Sequence, residues 1–201
     1  MTPGSCSTGI HILLEECEAV FEVTIVNLMK GDQYQPEYLE INPRATIPAL
    51  QRDDGSALTD FQSIAWWLAH QYPRAGLLPA AIEDQLKIFE VMNYAVATVH
   101  MQGFARLFTT ERFTPQESDY PWVRQQGMEI INDGFRILDS LISEAGFITD
   151  HFSIADAALF YIEFWAIKSD IELPANCLRH YQKLLKRSTV RQVLAEEGYR
   201  I

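Results

Sequence analysis

The chain is poor in residues that staple, anchor or target a protein. It has three cysteines, Cys6, Cys17 and Cys177, with neither a CxxC pair nor zinc-ligand spacing. A disulfide framework and a cysteine-built zinc site are therefore excluded, and no metal is expected. Basic runs are absent too: Lys and Arg number 16 against 27 Asp and Glu, a net charge of −11. Such a field repels nucleic acid and anionic membrane surfaces, both of which require neutralising cations. The longest apolar stretches fall well short of the roughly 20 residues of a membrane span. The opening Met1-Thr2-Pro3-Gly4 is neither basic nor apolar, so no signal peptide is visible and the cytoplasm is the expected compartment. The sequence contains no internal repeat and no low-complexity tract.

What is present is an ordinary globular composition. Apolar residues make up 48% and charged residues 21% of 201, which argues against disorder and allows one large domain or two small ones. A chain of this length buries about 70% of the surface its unfolded form exposes, enough for a core without covalent staples.

Two rhythms divide it. Ile10, Leu13, Leu14 and Cys17 repeat at helical spacing, and Phe21–Leu28 has the β-branched content and length of a strand. Residues 34–40 suit a helical turn or two. Short strands at 47–50 and 57–58 flank the turn Asp53-Asp54-Gly55, and Asp60–Gln71 reads as a helix. These alternating elements form a small α/β unit, residues 1–74. A linker follows at 75–82, marked by the PRAGLLP punctuation. Residues 83–201 read as all helix: long periodic segments at 83–108 and 116–145, a strongly apolar 153–168, then 177–186 and 190–196.

Cys6, at the start of the first helix among small hydroxyl residues, has two readings. Helix-end amides and the macrodipole favour a thiolate there, lowering the thiol pKa from about 8.5. Alternatively it is a small buried hydrophobe, which position alone favours. Cys17 and Cys177 read as buried. Pro48 marks a strand start or edge, and sequence alone does not make it cis. His100 falls on a packed face with Met92, Val96, Val99, Gly103 and Leu107, where a core histidine is the plainer reading. Asn93 lies two turns, about 10 Å, earlier on that face. Gly103 permits close backbone approach. Ser153-Ile154-Ala155-Asp156 has the form of a structural capping box. Phe160, Tyr161, Phe164 and Trp165 read as core, and the pairs Glu15-Glu16 and Glu196-Glu197 as exposed helix faces.

Four segments, in order and nearly spanning the chain, resemble the bacterial beta-class glutathione transferases. They are PGSCS at 3–7, INPRATIPAL at 41–50, VMNYAVATVHMQGF at 91–104 and FSIADAALFYIEFWA at 152–166. The resemblance implies a thioredoxin-like N-terminal domain, a helical C-terminal domain, glutathione as co-substrate and a homodimer. Carried over, Cys6 and His100 approach the glutathione sulfur, and Ile47 before a cis Pro48 pairs with the cysteinyl backbone. Lys30 meets the glycyl carboxylate, and Asn93 reaches the partner subunit's glutathione. Asp60 faces the γ-glutamyl ammonium, followed here by Phe61 where the family has a small or hydroxyl residue, so a ring is expected to crowd that pocket.

The family's first strand precedes the motif at Pro3, where this chain has only Met1-Thr2. The intact pattern downstream suggests a start lacking a few residues. The leading expectation is conjugation of glutathione to an apolar electrophile lodged near Tyr94, Met101, Phe104 and Trp165. The alternatives are a thiol–disulfide reductase with Cys6 as nucleophile and a non-catalytic interaction scaffold.

Overall fold

The computed structural model describes residues 1–200. The first helix, α1 (Ser7–Glu16), buries Ile10, Leu13 and the following Cys17 as its stripe requires. Ser7, Thr8 and Gly9 are buried as well, because α1 is enclosed on several sides. A short helix α2 (Pro36–Ile41) opens on proline at its first turn, where the missing N–H costs nothing. Strands β1 (Ala49–Gln51) and β2 (Ala57–Thr59) pair antiparallel with Leu50 opposite Leu58. Helix α3 (Phe61–Gln71) packs Ile64, Ala65 and Leu68 inward.

The predicted strand at 21–28 is extended but joins no sheet. Its ladder contact is with Met1: the Val26 N–H donates to the Met1 carbonyl at 2.8 Å, and the Met1 nitrogen to Thr24 O. A groove of about 920 Å³, lined by residues 19–24 and 48–54 among others, separates it from β1. That separation denies it the neighbouring backbone a strand needs. Val23 and Ile25 are consequently exposed.

The second half is helical throughout: α4 (Ile82–Asn93), α5 (Ala105–Phe108), α6 (Tyr120–Leu141), α7 (Ile154–Lys168), α8 (Ala175–Leu184) and α9 (Ser188–Glu196). The segment expected as one regular helix at 83–108 changes winding in its middle. Tyr94–Phe104 is a π-helix, and the Ala105 N–H reaches back five residues to His100 O. Its Gly103 meets α6 closely: a Cβ there would lie 2.7 Å from Ile131. Helix α7 is buried from Ile154 to Ala166, the all-round apolar helix at the centre of the core. Among the described residues no helix is long and apolar enough to cross a membrane.

Two carboxylate pairs read as exposed faces are turned by the fold toward a partner helix. Glu16 is held by Arg187 through two contacts, at 2.9 and 2.6 Å, and the Glu197 side chain is 1% exposed. All four carboxylates meet a partner across the α1–α9 contact, with Glu197 the one fully enclosed there, which the local pattern of two adjacent acids does not reveal.

Candidate functional site

The segment before α1 is tied down residue by residue. Ser5 Oγ accepts the Ser7 N–H at 3.1 Å, donates to Thr2 O at 2.6 Å and meets Ser7 Oγ at 2.7 Å. Gly4 has φ +70°, and a Cβ there would sit 2.0 Å from the Tyr199 hydroxyl, so only glycine fits. Its N–H donates to Glu197 at 2.7 Å, and its carbonyl accepts the Trp165 Nε1–H at 2.7 Å. The loop bearing Cys6 is thus clamped by the last helix and by α7.

Cys6 is 6% exposed, and its Sγ–H donates to Ile47 O at 3.5 Å. Burial pushes the thiol up to about 12, against the backbone amides of Cys6 and Ser7, which favour the anion. Of the two readings of Cys6 the buried one holds: desolvation outweighs the helix end and favours the protonated thiol. Cys17 and Cys177 are buried thiols as well, the former raised to about 11 by burial.

Ile47 is half-buried and precedes a buried Pro48 through a cis peptide bond. Asp60 has φ +69°, a conformation non-glycine residues seldom hold, and its carboxylate takes Arg44 at 2.6 Å. It lies near enough to Cys6 to raise the thiol pKa. The Phe61 ring does not crowd this rim. It is 2% exposed and packs against Tyr161 at 5.3 Å between ring centres, over Gly9, where a Cβ would lie 2.7 Å from it. Burying a phenyl ring gains about 1.5–3 kcal/mol, which turns the side chain into the core. Lys30 is exposed at the end of a tight turn whose Asn27 Oδ1 accepts the Lys30 N–H at 3.1 Å. Among the described residues Lys30 has no ion-pair partner.

His100 lies on the π segment, edge-on to Trp165 at 4.7 Å, with Nδ1 3.2 Å from the Tyr161 hydroxyl. Desolvation lowers its pKa to about 4. Tyr161, fully buried, is raised well above 10, first by burial and then by the charge a Cys6 thiolate would carry. Tyr161 therefore links the Cys6 and His100 environments. The sequence reading missed it, because an aromatic inside an apolar helix gives no sign that its hydroxyl has a task.

Asn93 is exposed whereas His100 is largely buried, since the wider π turn breaks the seven-residue register that placed them together. Of the residues expected to line an apolar pocket, Phe104 is fully buried and Trp165 is 8% exposed. They form a floor with Phe108, which stacks on Phe104 and meets Trp165 edge-on, both within 5.6 Å. Phe108 is 52% exposed and Met101 51%, so these two present apolar surface to solvent.

The chain is similar to known proteins in sequence and in fold. The family model described as "Glutathione S-transferase, N-terminal domain" matches residues 4–71. Glutathione S-transferase GstA of Escherichia coli O157:H7 is 33% identical over 207 residues, covering 98% of this chain and 96% of its own. A glutathione transferase homolog from Sulfitobacter, solved with bound glutathione, superposes with a TM-score of 0.91 at 25% identity, covering 99% of this chain and 97% of its own. A beta-class glutathione S-transferase from Sphingomonas chungbukensis gives a TM-score of 0.82 at 27% identity, with 98% and 97% covered.

Proposed function

Because the chain belongs to the glutathione S-transferase family, with its thioredoxin-like N-terminal domain and helical C-terminal domain, we propose that it conjugates glutathione to a small apolar electrophile. Glutathione is bound by the N-terminal unit, residues 1–74. The cysteinyl backbone pairs with Ile47 beside cis Pro48, the glycyl carboxylate meets Lys30, and the γ-glutamyl ammonium competes with Arg44 for Asp60. Against a net charge of −11, an exposed and unpaired Lys30 is the counter-charge such an anion needs.

The observation that carries the reading is Cys6 held as a buried thiol. When the glutathione backbone takes up Ile47 O, to which the Cys6 Sγ–H donates in the free protein, the protonated thiol turns its one hydrogen bond to the glutathione thiolate and stabilises it rather than attacking a disulfide. The same burial argues against the thiol–disulfide reductase alternative, which needs an accessible thiolate. Phe61, which motivated a non-catalytic scaffold, has its ring in the core instead of the ligand rim. His100, neutral and tethered to Tyr161, is a positioning residue in this scheme. The electrophile rests against Phe108 and Met101 over the Phe104–Trp165 floor.

A homodimer completes the proposal. Ile82, Leu86 and Phe89 are 62%, 55% and 45% exposed on one face of α4, and Asn93 continues that face at the next turn.

Calorimetric titration with glutathione tests the binding assignment. Saturable binding is expected, weakened about fivefold in Lys30→Ala, the effect of losing an exposed charge contact of about 1 kcal/mol. Cys6→Ala should keep binding and lose part, not all, of its conjugating activity. A folded wild-type protein that takes up no glutathione would refute the reading.

A further inference from the structure

On α1, His11 is 5% exposed. Its Nδ1 lies 3.1 Å from Glu197 Oε1. An acceptor there assigns the ring proton to Nδ1 and leaves the Nε2 lone pair pointing the other way. That lone pair faces carboxylates: Nε2 is 3.2 Å from Glu196 Oε2, yet aligns with no hydrogen-bond partner. This buried nitrogen, aimed at a carboxylate without a hydrogen bond, is a donor placed to meet a cation.

Glu15 stands four residues after His11, on the same helical face. One ligand atom each from His11, Glu15 and Glu196 lies within 4.8 Å of the others. Gln192 Nε2 binds Glu15 Oε2 at 3.1 Å and Glu196 Oε1 at 3.0 Å. One oxygen of each carboxylate is thereby fixed, and the second is left for a cation.

We propose that His11, Glu15 and Glu196 form a binding site for a zinc-class divalent cation, with Glu197 as the residue that orients the imidazole. One nitrogen and two oxygens from three side chains, with a fourth position open to water, is a donor set that Zn²⁺ accepts, and the imidazole discriminates against Mg²⁺ and Ca²⁺. Tetrahedral bonds of about 2.1 Å put ligand atoms about 3.4 Å apart, near the Nε2–Oε2 distance already present. Glu196 is 48% exposed, so closing the rest needs only movement of surface side chains, and the cation has a route in. The carboxylate–imidazole–metal relay through Glu197 Oε1 is the support metal-bound histidines ordinarily have. Glu197 Oε2 also accepts from Gly4 N and Thr8 Oγ1, both at 2.7 Å, tying the cation site to the loop that carries Cys6.

The test uses Zn²⁺ alone, with Mg²⁺ as control, on chelator-treated full-length protein. Zn²⁺ should raise the melting temperature and Mg²⁺ should not. Affinity by calorimetry should fall at least about tenfold in Glu15→Gln and in Glu196→Gln, the first half-buried and the second exposed, both of unchanged size. X-ray absorption at the zinc edge should show only nitrogen and oxygen donors, including one imidazole, in the wild-type protein. Zn²⁺ binding equally well to the two variants, a sulfur shell, or no binding at all would each overturn the proposal.

Discussion

Protonating His100 would place a charge beside Tyr161 and Trp165 in a partly desolvated site, and its pKa accordingly falls from 6.5 to about 4. The sign follows from linkage. A histidine with a lowered folded-state pKa contributes stability that is complete above 6.5 and is lost as pH falls toward 4. The shift corresponds to at most about 3 kcal/mol. His100→Phe should remove this dependence, so denaturant midpoints of the two proteins, measured from pH 7 to pH 4, should diverge in favour of the variant. Parallel profiles would show that His100 is not desolvated. Cys6 obeys the same rule with opposite consequence, since burial keeps the thiol protonated and the imidazole neutral. Its place at the head of a helix was legible in the sequence. Its protonation was not, because the elements that bury it lie at Ile47 and Asp60, far along the chain.

At the scale of the element, α7 was the most readable part. Its Ser153–Asp156 box closes as expected, with Asp156 Oδ2 accepting from Ser153 N at 2.8 Å and Ser153 Oγ at 2.6 Å. The sequence does not show what lies behind the box. Asp156 Oδ1 and Glu163 Oε2 hold the two nitrogens of His180, at 3.1 and 2.8 Å, all three side chains fully buried. Burial alone would lower the His180 pKa, but the two carboxylates prevail and raise it, so the imidazolium is the folded-state form. Removing Asp156 leaves Glu163 to balance the imidazolium but strips the buried Ile148 N–H, Ser153 N–H and His180 Nε2–H of their acceptor, which costs about 3 kcal/mol or more at about 1–3 kcal/mol each. Asp156→Ala should therefore lower the unfolding free energy read from denaturant titration by that amount, and Asp156→Asn, which keeps a polar group on Ser153, by less. A loss below about 1 kcal/mol in the alanine variant would show the box to be ornamental. The π segment defeats periodic reading for a different reason. Residues 94–104 carry apolar side chains that suit either winding, and the close packing of Gly103 against α6 selects one that the local pattern does not specify.

Across the whole molecule, the contacts that the sequence concealed are those between its two ends. Glu16 with Arg187, and Glu197 with Gly4, Thr8 and His11, join residues at least 171 positions apart. Adjacent acids on a helix look solvated until the partner helix is placed against them. The exposed stripe on α4 raises the converse question of what covers it. Phe89 meets the half-buried Trp66 of α3 edge-on at 5.7 Å, so the apolar patch runs from the helical half onto the α/β half. Each copy carries −11, and two copies therefore repel until apolar burial outweighs their charge. Moderate salt screens that repulsion, so association should strengthen as ionic strength rises, the reverse of a charge-driven interface. Phe89→Asp sets a carboxylate in the middle of the patch and should weaken association at least about thirtyfold, as the loss of a central interface residue worth 2 kcal/mol does. Sedimentation equilibrium of the wild type and Phe89→Asp at low and moderate salt checks this. A wild-type protein that remains at 23.0 kDa at every concentration would sink the dimer and leave the α4 stripe without a partner copy.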